Sequence, residues 1–374
     1  MVKIILIGII WDGLGDYIFT KYISNSISNY EHDIYFVIKD KDYKIDDNIK
    51  KFLNNSFEKF KIIYFFNIEK TLKNILKGYS YIFSIAALYN IDNIFNIINK
   101  YYPSKIKNYR RIFDFGTSKL KYYKSSINTL DCKESTYLLS NIKEIKYNIY
   151  TGFSKESLGI QINIKRPDKN FVNLFKSYNL FTCYYRTDDY IIRYVKFINY
   201  YINIIKKYKN PLIFVQGNNN SFLKIAKYHY KLDKYNVYKF DKCYIINSFV
   251  SLEESIELFC YSNILVGCQG NSSLSLAINY NKIPLLEWRE NLAQSYCLLI
   301  NFLNSNNYSS LIYLFTFLYY ESNINYDNIF RFILLLKNSI NVYKNFTKYM
   351  KYKYSLNKNF KLYIEKMINN NDYV

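Results

Sequence analysis

Two carboxylates and two glycines crowd the segment Trp11-Asp12-Gly13-Leu14-Gly15-Asp16-Tyr17. One acid, Asp16 or Asp12, can take a proton from an acceptor while the other positions it. Gly13 and Gly15 let the backbone pass close to a ligand, and a helix beginning there offers free N–H groups. A helix cap accounts for one of the acids but not both. The second segment is Gly267-Cys268-Gln269-Gly270-Asn271-Ser272-Ser273, running into Leu274-Ser275-Leu276-Ala277. Here Gly270, Asn271, Ser272 and Ser273 supply backbone and hydroxyl donors suited to a diphosphate. The plain alternative is that Asn271 or Ser272 only caps a helix. In Pro284-Leu285-Leu286-Glu287-Trp288-Arg289, Glu287 can hold a ribose or sugar hydroxyl, or simply form a surface ion pair. Gln216-Gly217-Asn218 reads as a ligand loop or as an ordinary glycine turn.

Other chemistries lack their residues. The first loop is not G-x-G-x-x-G and no ribose-binding acid follows the second strand, which disfavours a nicotinamide enzyme. No nucleophile elbow or P-loop occurs. The only histidines, His32 and His229, stand in lysine-rich surroundings and read as surface residues. Cys132, Cys183, Cys243, Cys260, Cys268 and Cys297 form no C-x-x-C pair, so no metal is expected. Several lie in apolar runs as small hydrophobes, which suggests a reducing, cytoplasmic compartment.

The elements that must hold these loops alternate. Lys3–Ile10 is an apolar run bounded by Asp12-Gly13, the pattern of a strand buried on both faces. It is too short to span a bilayer, and it reads as a first strand rather than a signal peptide. A helix follows over Tyr17–Ser28, and strands at Ile34–Ile38, Lys61–Phe66, Tyr81–Ile85 and Arg111–Phe115 alternate with helices at Ile49–Phe60, Glu69–Lys77 and Ile91–Tyr101. A second series starts after Arg166-Pro167-Asp168-Lys169-Asn170, the best linker candidate. Its strands are Leu180–Tyr185, Pro211–Val215, Ile264–Val266 and Ile283–Leu286. Its helices are Ile191–Lys207, Ser221–Tyr230, Leu252–Cys260 and Ser272–Tyr280. The runs Val237–Phe240 and Tyr244–Ile246 are extended, and the chain from about Asn291 is mainly helical. The alternation predicts an α/β protein of two Rossmann-like domains, 1–166 and 167–374, facing across a cleft. Ligands in such folds bind outside the carboxyl ends of strands.

The 374 residues carry 51 Lys+Arg against 30 Asp+Glu, a net +21, with half of all residues hydrophobic. That hydrophobicity excludes a disordered chain. The lysines are scattered rather than blocked, so nucleic acid is disfavoured as a partner. The positive field instead suits an anionic substrate or lipid surface.

Taken in order, these segments resemble GT-B glycosyltransferases. Asp12-Gly-Leu-Gly-Asp16 is similar to the first loop of the bacterial protein-arginine rhamnosyltransferases. Tyr150-Thr-Gly-Phe153, Leu180–Tyr185 and Phe249–Phe259 resemble the same family, as does Asn271-Ser272 followed by Pro284. The run from Gly13 to Asp16, with Gly267–Ala277 and Ile283-Pro284, resembles the lipopolysaccharide heptosyltransferases. The resemblance implies an inverting, metal-independent transferase with no cofactor beyond its nucleotide-sugar substrate. In the rhamnosyltransferases the first-loop aspartates activate the acceptor, which falls here on Asp12 and Asp16. Their Gly-Glu-Asp-Ser run is Gln269-Gly270-Asn271-Ser272 here, and the heptosyltransferases' loop histidine is absent. The acceptor is a protein side chain or a glycan, and a peripheral contact at the inner membrane face fits. The competing readings are a basic nucleic-acid- or membrane-binding protein without catalysis, and a nucleotide-sugar epimerase on the same scaffold.

Overall fold

Strand β1, Lys3–Ile10, is buried from Ile4 to Ile10 because it is covered on both faces and paired on both edges. The computed structural model describes residues 2–10, 14–38, 50, 53–54, 57–86, 92–114, 145–154, 156–162, 166–185, 191–217, 226–286, 293–320 and 326–369. The chain forms two units. Unit 1 is Met1–Gln161 with Glu290–Phe302 and Tyr352–Val374, and unit 2 is Ile162–Arg289 with Leu303–Lys351.

In unit 1, β1 is followed by helix α1 (Leu14–Ser26), β2 (Glu31–Ile38), β3 (Lys61–Tyr64), helix α2 (Ile68–Ile75) and β4 (Tyr81–Ala86). Helix α3 (Asp92–Tyr101), β5 (Tyr109–Phe113) and β6 (Asn148–Tyr150) complete the series. The sheet is parallel, in the order β3-β2-β1-β4-β5-β6, the dinucleotide-fold arrangement. On one face Ile5, Ile7 and Ile9 join Leu72, Leu76, Ile94 and Ile98 from α2, α3 and their connections. On the other, Gly8 lets α1 sit directly on β1. A Cβ at Gly8 would lie 2.7 Å from Thr20 Oγ1 and 3.0 Å from the Phe36 ring.

In unit 2 the described elements run β7 (Asn179–Tyr184), α4 (Ile191–Ile205), β8 (Pro211–Gln216), β9 (Lys227–Leu232), β10 (Tyr235–Phe240) and β11 (Cys243–Ser248). Then come α5 (Leu252–Tyr261), β12 (Leu265–Cys268), α6 (Asn271–Asn279) and β13 (Ile283–Leu286). The order is β13-β12-β7-β8-β11-β10-β9, parallel except for the β9–β10 and β10–β11 pairs. The expected helix over Ser221–Tyr230 is corrected here. Lys227–Leu232 is an edge strand that pairs with β10, and 221–225 lie outside the described residues. The helix expected at Ile49–Phe60 falls largely outside them too.

Helices α7 (Ala293–Ser305), α8 (Ser309–Tyr320), α9 (Tyr326–Lys353) and α10 (Leu356–Asn369) follow. Helix α10 returns to unit 1. Phe360 packs edge-on against Phe83 at 5.7 Å, and Arg110 Nε donates to Tyr363 Oη at 2.9 Å. Ile160 also bridges to Ser355. A boundary near residue 166 would instead place residues 290–302 and 352–374 in the second domain. The segment Arg166–Asn170 is fixed on unit 2, where Tyr261 Oη donates to the Pro167 carbonyl at 2.5 Å and Arg166 and Lys169 lie over the Tyr261 ring. No described helix is long and apolar enough to cross a membrane.

At the amino edge of unit 1, Tyr79 Oη donates to Asp33 Oδ2 at 2.6 Å and Lys3 Nζ lies 3.2 Å from the same oxygen. Burial alone would raise the Asp33 carboxyl, but these two donors hold it below its usual value. A carboxyl lowered on folding stabilises above its unfolded pKa and loses that contribution as pH falls through the folded one. Asp33→Asn is therefore expected to flatten the acid limb of a stability–pH curve. Gly8→Ala is expected to cost about 1–3 kcal/mol in urea unfolding by overpacking.

Candidate functional site

Both sheets reverse direction around their first strand. In unit 1 the order turns between β1 and β4, and in unit 2 between β7 and β12. At such a turn neighbouring loops leave the carboxyl ends in opposite directions and open a crevice. The sequence-singled segments follow β1 and β12, so each stands at the reversal of its own unit.

In unit 2 the reversal is built by close contact. A Cβ at Gly267 would lie 2.5 Å from Cys183 Sγ, so glycine is what lets β12 close on β7. Tyr201 of α4 reaches across the same pair, its hydroxyl donating to Leu265 O at 2.6 Å and lying 3.2 Å from Thr182 O. Full burial drives that phenol's pKa well up. Helix α6 then begins at Asn271. Its N-cap is Gly270, in extended backbone with no side chain to close the helix end. The first helical bond is Leu274 N–H to Gly270 O at 3.0 Å, and Ser273 Oγ donates to the same carbonyl at 2.9 Å. Residues Ser273 to Asn279 are buried, while Asn271 and Ser272 are half-exposed. The helix therefore presents only its first turn, where the N–H groups and the positive dipole end favour an anion.

Gln216 and Gly217 have structural duties. Gln216 is buried, its Nε2 donating to Thr182 Oγ1 at 2.8 Å and its Oε1 accepting from Ser255 Oγ at 2.5 Å. The amide thus ties β8 to β7 and α5. A Cβ at Gly217 would lie 2.6 Å from Tyr185 O, and its N–H donates to Ser248 O at 3.1 Å. Helix α5 is fixed by a capping box in which Ser251 Oγ accepts from Glu254 N–H and Glu254 returns the bond. Glu257 accepts from Val172 N–H at 2.9 Å. The Phe249–Phe259 run noted in the sequence is therefore a framing element for Gln216.

In unit 1, Asp16 lies in the first turn of α1, half-buried, and its backbone carbonyl accepts from Thr20 Oγ1 at 2.9 Å. Gly15 is exposed, and a Cβ there would meet nothing within 4 Å among the described residues, so their packing does not require that glycine. Asp12, Gly13, Asn218 and Glu287 lie outside the described residues, as do Trp288 and Arg289. The structure adds an acid that sequence reasoning missed. Asp114 directly follows β5, and Thr151 Oγ1 donates to its Oδ1 at 3.3 Å. With β4 between them, the ends of β1 and β5 are two strand spacings apart, about 10 Å. The signal was an acid terminating an apolar strand run.

The histidines are elsewhere. His32 stands near the amino end of β2, its Nδ1 on Tyr30 O and its Nε2 on Ser24 Oγ, each at 2.9 Å. His229 is on the exposed edge strand β9. Cys183, Cys243, Cys260, Cys268 and Cys297 form no disulfide with one another, and Cys132 is outside the described residues.

No family model matches the chain. Over 371 residues, 95% of its length, it is 25% identical to the DNA-directed RNA polymerase subunit beta'' of Plasmodium falciparum. Over 205 residues it is 25% identical to the replication restart protein PriA of Buchnera aphidicola. The matches cover 32% and 27% of those proteins, so the chain spans about a third of the length of the curated relatives it matches or less. Among solved structures it is similar to a Medicago truncatula UGT complexed with UDP-glucose, with TM-score 0.53, 9% identity and 98% of both chains covered. It is also similar to a UGT transferase from Siraitia grosvenorii in complex with UDP. There the TM-score is 0.55 at 6% identity, over 98% of this chain and 100% of the other.

The fold is that of GT-B glycosyltransferases.

It is α/β, with two Rossmann-like units. Within it Gln216 can be tested as a brace. Gln216→Met is expected to cost about 1–3 kcal/mol in urea unfolding, because the buried Thr182 hydroxyl loses a donor and the half-buried Ser255 hydroxyl its acceptor. Unchanged unfolding in the variant would show that the amide braces nothing.

Proposed function

We propose that this chain is an inverting, metal-independent glycosyltransferase that takes its sugar from a nucleotide-sugar donor. The observation that carries this is the first turn of α6. It is headed by Gly270, has no side-chain cap, and stands at the strand-order reversal of unit 2. Unit 2 holds the nucleotide, with the N–H groups of Asn271, Ser272 and Ser273 on the diphosphate and Glu287 on a sugar or ribose hydroxyl. Unit 1 serves the acceptor. The acceptor nucleophile attacks the anomeric carbon from the side opposite the diphosphate and gives its proton to Asp16, with Asp12 positioning the base. The bond from the anomeric carbon to phosphate oxygen breaks, and the negative charge that develops on the diphosphate is stabilised at the α6 N-terminus.

That two structures of the same fold hold UDP or UDP-glucose supports a nucleotide-sugar donor. The rhamnosyltransferase resemblance favours a protein side chain as acceptor, and the heptosyltransferase resemblance a lipopolysaccharide glycan. An epimerase reading draws no support from His32 or His229, neither of which stands at a carboxyl strand end. We place the enzyme in the cytoplasm.

The test is a thermal-shift panel of UDP, ADP, GDP and their sugar conjugates. A ligand at about 100 times its dissociation constant adds about 2.7 kcal/mol, and a chain that responds to none of them is not a nucleotide-sugar enzyme. With the donor so identified, Asp16→Asn is expected to keep the fold and the nucleotide shift but lose about 10²–10⁴-fold in transfer. Undiminished transfer with both Asp16 and Asp12 replaced would remove the base assignment.

A further inference from the structure

Helix α9 has two faces of opposite character within unit 2. Its inner face is held by the core. Ser339, Tyr343, Phe346, Thr347 and Met350 are buried, Tyr343 Oη donates to Lys282 O at 2.6 Å, and Phe346 packs on Tyr308 at 5.5 Å. The outer face is a stripe of Phe330, Leu334, Lys337, Asn341, Lys344 and Lys348, all exposed. At 100° per residue these six fall in a sector about 80° wide.

The stripe has an apolar end and a cationic run. Phe330 is 63% and Leu334 43% exposed, one turn apart. Lys337, Lys344 and Lys348 follow, and among the described residues none of them is in an ion pair. Arg331 is exposed beside Phe330. From Tyr326 to Lys353 the helix carries one acid, Asp327, against six basic residues. Helix α8 has no charged residue, and the five residues between α8 and α9 add a single acid, Glu321. What sets this stripe apart is that its two large hydrophobics stand in line with unpaired cations on one helix face. Apolar side chains beside unpaired lysines on one helix face match an anionic bilayer, where the lysines meet headgroup phosphates and the hydrophobics enter the acyl boundary.

We infer that the Phe330–Lys348 face of α9 is a docking surface for an anionic lipid bilayer, with Phe330 and Leu334 inserted and the three lysines on the headgroups. This gives the expected peripheral membrane contact a place on the molecule, and it does not depend on the sugar-transfer reading.

The experiment is co-sedimentation of the full chain with phosphatidylcholine vesicles, with and without phosphatidylglycerol, at rising salt. The chain is expected to bind the anionic vesicles only. Each lysine near such a surface is worth about fivefold, so K337Q/K344Q/K348Q should weaken partitioning on the order of 100-fold. F330S/L334S should remove the binding that survives high salt. Phe330→Trp should shift its emission to the blue with anionic vesicles and not with neutral ones. Unchanged thermal unfolding certifies each variant.

With so large a net charge, a control is needed. K227Q/K231Q/K239Q on the β9–β10 hairpin removes equal charge from exposed positions elsewhere. If it weakens binding as much as the α9 triple variant, attraction is diffuse and the proposal fails. It also fails if the wild type ignores anionic vesicles. It fails again if homopolymeric RNA displaces the vesicles while F330S/L334S binds normally, since the face would then serve nucleic acid. Nucleotide-induced stabilisation read in parallel keeps this outcome separate from the enzymatic one.

Discussion

Everything at the two carboxyl edges depends on one constraint: the first strand of each unit must accept a parallel neighbour on both sides. Parallel strands cannot be joined by a short turn, so the chain crosses a face of the sheet each time. When it returns to the other side of β1 or β7, the loops at that junction diverge. In unit 2 the junction is narrow because Gly267 sits against Cys183 and the Tyr201 hydroxyl lies against both strand carbonyls. That closeness sets where α6 begins. The chemistry assigned to Gly270–Ser273 thus rests on a packing contact made by other residues.

The sequence showed the central strands plainly. Residues 4–10 of β1 and 212–215 of β8 are uninterrupted apolar runs because each lies between two other strands and is covered on both faces. Strand β9 was misread for the complementary reason. Lys227-Tyr228-His229-Tyr230-Lys231-Leu232 is an exposed edge, and its register with β10 slips between Val237 and Tyr238, so no clean alternation survives. Strand β6 has three residues, too few to leave a pattern. The return of α10 to unit 1 is a tertiary choice, made by Phe83 and Arg110 far away in the chain.

Among the candidate site residues, position was more legible than role. The α6 turn and Asp16 fall where the topology makes openings. Gln216 looked like a ligand residue because it is polar and ends an apolar strand. Its amide instead satisfies Thr182 and Ser255 inside the unit. A single polar letter at a strand end does not say which way the side chain turns. Gly15 and Gly267 make the same point: one has nothing beside it among the described residues, and the other meets a neighbouring strand.

The return of α10 also bears on the order of assembly. Unit 1 draws on residues 352–374 as well as on 1–161. On the ribosome its sheet emerges before unit 2 and before α10, with the Phe83 and Arg110 face still bare. Meanwhile the whole of unit 2 could be translated and fold. Closure of unit 1 then waits for α10 to leave the exit tunnel, and chaperones have that interval in which to shield the uncovered surface.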